Sequence, residues 1–161
     1  MKTKPSEQPD SGVPNPKPKR ILLPLDFSDP SRRALKLARE WAKFFGARVY
    51  LLFVIEPLPY MSGMESLPLT KSSPRVAAEA KTALDRLVRE ELPAPIQTAT
   101  LVRQGKAYEQ IVAAAQSLRI DLIIIGTHGY GGLSRVLLGS TAERVVRHAP
   151  CSVLTVRRRD L

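Results

Sequence analysis

The feature that most constrains this chain is the alternation of short runs apolar on every residue with longer amphipathic segments. Ile21–Leu25, Val49–Ile55 and Asp121–Ile125 are five to seven residues long and almost uninterrupted by polar side chains. A strand that is apolar at every position must be covered on both faces, which is the pattern of parallel sheets. The intervening segments carry the helical period. After Asp29-Pro30, Leu35, Ala38, Ala42 and Phe45 fall on one face, and Gly46 is placed to cap the end. A second helix opens at Pro74, with Val76, Ala80, Ala83, Leu84, Leu87 and Val88 expected inward. Pro93 and Pro95 precede an alternating strand over 96–102, suited to a place near an edge. Residues 106–118 read as a helix with Ile111, Ala115 and Leu118 inward, and a helix from Ser140 to His148 precedes a last strand, Ser152–Val156. Five strands joined by helices predict an open parallel sheet with helices on both faces, a doubly wound α/β domain.

At 161 residues the chain has the length of one domain, with 43% hydrophobic residues to fill a core. No apolar run reaches the roughly 18 residues of a membrane-spanning helix, and the polar N-terminus lacks the apolar stretch of a secretory signal. A single cysteine, Cys151, excludes an internal disulfide and a cysteine-cluster metal site. These features predict a cytoplasmic protein with no membrane partner. Residues 1–19 hold five prolines and almost nothing apolar, and are expected to form a disordered basic arm; 56–73 are expected to be a flexible loop. The net charge of +10 is weighted to the two ends of the chain and would attract an anion. No basic block interleaves with stacking aromatics, which argues against nucleic acid as the partner.

In doubly wound sheets, ligands bind beyond the carboxyl ends of the strands where the strand order reverses. That rule singles out the residues after the first and fourth strands. The latter open a glycine-rich loop, Gly126-Thr127-His128-Gly129-Tyr130-Gly131-Gly132, which leads through Arg135 to Gly139-Ser140-Thr141. Missing Cβ atoms let backbone N–H groups approach a phosphate closely, and the following helix N-terminus favours negative charge. Ser140-Thr-Ala-Glu143 reads as a capping box that fixes the helix start. Neither GxxxxGK[ST] nor a GxGxxG after the first strand is present, which argues against P-loop and typical dinucleotide enzymes.

The spacing Gly126-x2-Gly129-x9-Gly139-Ser140 resembles the G-2x-G-9x-G-[S/T] signature of ATP-binding universal stress proteins. Pro24-Leu25-Asp26-Phe27-Ser28, Leu51–Ile55 and Cys151–Val156 are similar to that family's first, second and closing strand ends. The likeness covers roughly residues 19–158. It implies a Rossmann-like fold of strand order 3-2-1-4-5 over 20–158 and a homodimer paired through the last strand, 151–156. It implies that the ligand is ATP, to which Mg²⁺ or Mn²⁺ would come bound through the phosphates, since no carboxylate cage is evident. Pro24, Leu25 and Asp26 would lie at the nucleoside end, and the backbone of Val54 would meet the adenine edge. Gly126, Thr127, His128 and Gly129 would lie along the ribose and α-phosphate; Gly139, Ser140 and Thr141 would receive the β- and γ-phosphates. Arg135 could add a full positive charge.

Several positions have simpler readings from the residues alone. Asp26 competes with Asp29 as a helix-capping carboxylate. His128 reads as a loop donor beside phosphate or as a proton-transfer group. Cys151, Trp41 and Phe45 read as packing. The function expected is a nucleotide-dependent stress-response module. A slow ATPase at the same site and a nucleic-acid or partner-binding protein acting through the basic arm stand as alternatives; no catalytic residue is assigned.

Overall fold

The computed structural model describes residues 17–56, 74–127 and 139–157. Five strands, β1 (Arg20–Leu25), β2 (Arg48–Ile55), β3 (Thr98–Gln104), β4 (Leu122–Gly126) and β5 (Ser152–Val156), form one sheet of order β3-β2-β1-β4-β5. All the pairings are parallel. Helices α1 (Asp29–Phe45), α2 (Pro74–Glu91), α3 (Ala107–Ser117) and α4 (Ser140–His148) follow β1, β2, β3 and β4.

The sheet's two faces carry separate cores, which is why its strands are apolar at successive positions. Ile21, Leu23, Leu25, Val49, Leu51 and Ile124 pack under α1 and α2. Leu22, Leu52, Ile123 and Ile125 pack with Ile111, Ala114, Ala142 and Val145 of α3 and α4. The order of winding reverses at β1: β2 and β3 are laid down on one side of it, β4 and β5 on the other.

Local chemistry fixes the turn from β1 into α1. The Asp26 carboxylate accepts from the Ser28 N–H (3.0 Å) and hydroxyl (2.6 Å). Ser28 is the N-cap, its Oγ accepting from the Ser31 N–H at 3.4 Å. Phe27 turns the chain with φ of 62°, a left-handed conformation uncommon for a bulky residue. Its ring rests 5.3 Å from that of Phe53. Asp26 therefore positions the cap and does not itself cap the helix. At the far end Gly46 (φ 64°) closes α1 by donating to Ala42 O.

Two expectations need correction. Val76 is 43% exposed rather than inward, because α2 turns a narrower stripe to the sheet, Ala80, Leu84 and Leu87. β3 begins at Thr98 rather than 96, its pairing with β2 starting at Val49↔Thr98. The packing reading of Cys151 holds: it lies just ahead of β5, half-buried against the α3–α4 core. The expectations for the N-terminal arm over 1–16 and for 57–73 lie outside the described residues.

Candidate functional site

The carboxyl ends of β1, β2 and β4 open into a cavity of about 440 Å³, within the size range of small-ligand sites. It sits where the strand order reverses. Pro24, Leu25 and Asp26 come from the end of β1, Val54 from β2, and Ile125 and Gly126 from β4; Gly139, Ser140, Thr141 and Ala142 bring the start of α4. Eight of the residues named from the sequence thus share one cavity wall.

Thr127 is not brought to that wall. It is buried, and both its N–H (2.9 Å) and its hydroxyl (3.3 Å) donate to Val156 O, tying β4 to the end of β5. His128, Gly129 and Arg135 lie outside the described residues.

Gly126 has a structural requirement of its own. A Cβ there would lie 2.6 Å from Pro30 C and 2.7 Å from Pro30 O and Ser31 N. The first turn of α1 packs directly on the strand end, and only a residue without a side chain fits.

The start of α4 differs from the capping box expected. Gly139 is the N-cap, Ser140 is the first helical residue, and among the described residues no side chain caps the helix. The Glu143 side chain does not reach back; it pairs with Arg147 at 3.0 Å. By helix geometry, the N–H groups of the first turn have no carbonyl of their own helix to meet. Ser140, Thr141 and Ala142 line the cavity, and a helix N-terminus there favours an anion.

Glu56 was missed because it directly follows β2 and read as the first loop residue. It lines the cavity, and its Oε1 accepts from the Ala107 N–H at 2.6 Å. It thereby supplies the cap that Lys106, the N-cap of α3, does not. A carboxylate directly after an apolar strand was the available signal, but its partner is 51 residues away.

The electrostatics are consequently polar. Among the described residues lining the cavity, the charged side chains are Asp26 and Glu56, both acidic, at the β1 and β2 ends. The opposite wall is the electropositive end of α4. Among the described residues, no group of three or more His, Cys, Asp or Glu could hold a metal ion, and no helix is long and apolar enough to cross a membrane.

A parallel sheet covered on both faces, with a cavity at its switch point between strand ends and a helix N-terminus, defines a Rossmann-like α/β domain. The chain belongs to the universal stress protein family, whose pattern matches residues 17–157. Universal stress protein MJ0531 of Methanocaldococcus jannaschii is 38% identical over 146 residues, spanning 87% of this chain and 82% of that protein. Among solved structures, MJ0577 of the same organism superposes with a TM-score of 0.74 at 30% identity, covering 89% of this chain and 98% of that one. Universal stress protein UspA from Lactobacillus plantarum gives 0.73 at 32% identity, with coverage of 89% and 100%.

Proposed function

We propose that this chain is a nucleotide-dependent regulatory module of the stress response, binding ATP in the switch-point cavity and acting in the cytoplasm as a homodimer. The observation that carries the reading is the shared wall: a helix N-terminus with no side-chain cap among the described residues and two acidic side chains line one cavity of nucleotide size. The amides at Ser140, Thr141 and Ala142 take the phosphates, the Ser140 and Thr141 hydroxyls add donors, and Asp26 accepts from the sugar. Val54 lies beside the base. Gly129 and Arg135, on the segment leading to Gly139, complete the phosphate end, and Mg²⁺ or Mn²⁺ arrives carried by the phosphates. Two proteins share this fold at 22% and 16% identity: a universal stress protein in complex with cAMP and an Arabidopsis thaliana family member with AMP bound. At that distance the likeness is one of fold, so the ligand is argued from the cavity.

The homodimer rests on β5. It pairs with β4 on one side, and all five of its residues are only half-buried, leaving an edge that a second copy would cover. Binding, rather than turnover, is the role proposed. Asp26 and Glu56 each hold part of the backbone, accepting from Ser28 and from the Ala107 N–H.

The test is to denature the purified protein and chromatograph the supernatant for adenine nucleotide, then to titrate ATP into the native protein. Gly139→Arg, which fills the phosphate end, is expected to abolish ATP binding while the melting temperature stays within a few degrees. A folded Gly139→Arg protein with undiminished ATP affinity refutes the assignment.

A further inference from the structure

The order of strands fixes the order in which a ligand meets the cavity's charges. The electropositive start of α4 follows β4, Asp26 ends β1, and Glu56 follows β2. Adjacent strands lie about 4.8 Å apart, so β2 is roughly 10 Å from β4. A phosphate at α4 leaves the rest of the molecule to run across β1 toward β2, because two carboxylates repel any second anion there. An ionised carboxylate only accepts hydrogen bonds. The wall therefore asks for donors in the middle and at the far end of the ligand. Sugar hydroxyls meet the first demand at Asp26. At the β2 end the walls are Leu52, Val54 and Ile111, which suit the faces of a flat ring. Beside them, next to the Val54 backbone, stands the exposed Glu56 side chain, with one oxygen pinned to the Ala107 amide.

Building on the proposed nucleotide site, we infer that Glu56 is a specificity residue that reads the exocyclic amine of the base, favouring adenine over purines without a donor at that position. One carboxylate oxygen holds α3 and the other accepts from the amine. The helix bond fixes the side chain, so the second oxygen is preorganised.

The probes are ATP and purine riboside 5′-triphosphate, which lacks only the 6-amino group, titrated into the full chain by calorimetry. A hydrogen bond to a charged acceptor predicts a preference for ATP of roughly tenfold or more. Glu56→Gln keeps an oxygen for the Ala107 N–H but turns an NH₂ toward the amine; ATP weakens and the preference falls about tenfold. Should Glu56→Gln fail to fold, N6,N6-dimethyl-ATP on the wild-type chain removes the same donors and is expected to bind as weakly as the deaminated analogue. An ATP preference that survives in Glu56→Gln, or equal weakening of both ligands, reduces Glu56 to a helix cap and overturns the inference. Equal wild-type affinity for both triphosphates overturns it too, while leaving the ATP site standing. Binding of neither sinks the site itself.

Discussion

Gly126→Ala isolates what the first glycine of the loop motif after β4 does for the fold. The added methyl would sit 2.6 Å from Pro30 C, against the 3.4 Å at which ordinary contact begins. The strand end and α1 must therefore separate by about 0.8 Å. Both clashing groups are backbone, and the helix side is the first turn held by the Ser28 cap, so no rotamer change relieves them. Overpacking of this kind costs about 1–3 kcal/mol, and rigid partners place the substitution at the upper end. For a chain of this length that lowers the melting temperature by roughly 6–12 °C. Gly46 offers the contrast. Nothing lies within 4 Å of a Cβ there, and its requirement is the φ of +64°. Gly46→Asn, able to adopt that conformation, is expected to lose far less. Thermal melts followed by circular dichroism suffice for both. A Gly126→Ala protein that melts within 2 °C or so of wild type would refute the packing argument.

Two further predictions concern ionisable groups. Hydrogen bonds from Lys81 and then from the Thr100 hydroxyl (2.7 Å) hold the Asp85 carboxyl below its usual value of 3.8. A lowered pKa stabilises the fold above the unfolded value and loses that contribution as pH falls through the folded one. The urea midpoint of wild type should therefore drop more steeply below pH 4 than that of Asp85→Asn, and parallel curves would contradict this. Burial, and secondarily the negative charge of Asp121, pushes the Cys151 thiol up to about 11. The folded state favours the neutral thiol, a stabilisation present below the unfolded value near 9 and lost progressively as pH rises through the folded value of about 11. At pH 8 the native thiol should react with Ellman's reagent roughly 100-fold more slowly than in urea; equal rates would refute it.

The fold was legible because burial on both faces leaves a local mark. Leu22 and Leu23 point to opposite cores, yet both had to be apolar, and no other layer arrangement makes that demand so often in one chain. The helix ends were legible where the cap is local, as at Gly46. They were misread where competing side chains decide the outcome. Ser140 and Glu143 have the capping-box spacing, but Glu143 gains a partner in Arg147 one turn on, and Gly139 takes the cap position. Val76 was misread for a related reason. Periodicity gives the phase of a helix but not the width of the stripe its neighbours cover.

The candidate site divides along the same line. Residues within one strand end or helix start, such as Asp26 and Gly139–Thr141, announce themselves through spacing. What the spacing did not reveal was that a motif glycine can be demanded from behind. Gly126 faces the cavity with its neighbours, yet the atoms that forbid its Cβ belong to Pro30 and Ser31, nearly a hundred residues earlier. Glu56 is the converse case, a single acid whose meaning depends wholly on α3 arriving beside it. Both positions become intelligible only when β1 is seen between β2 and β4. The topology that sets Asp26 between the α4 amides and Glu56 gives the cavity its polarity, and that polarity dictates which end of a ligand goes where.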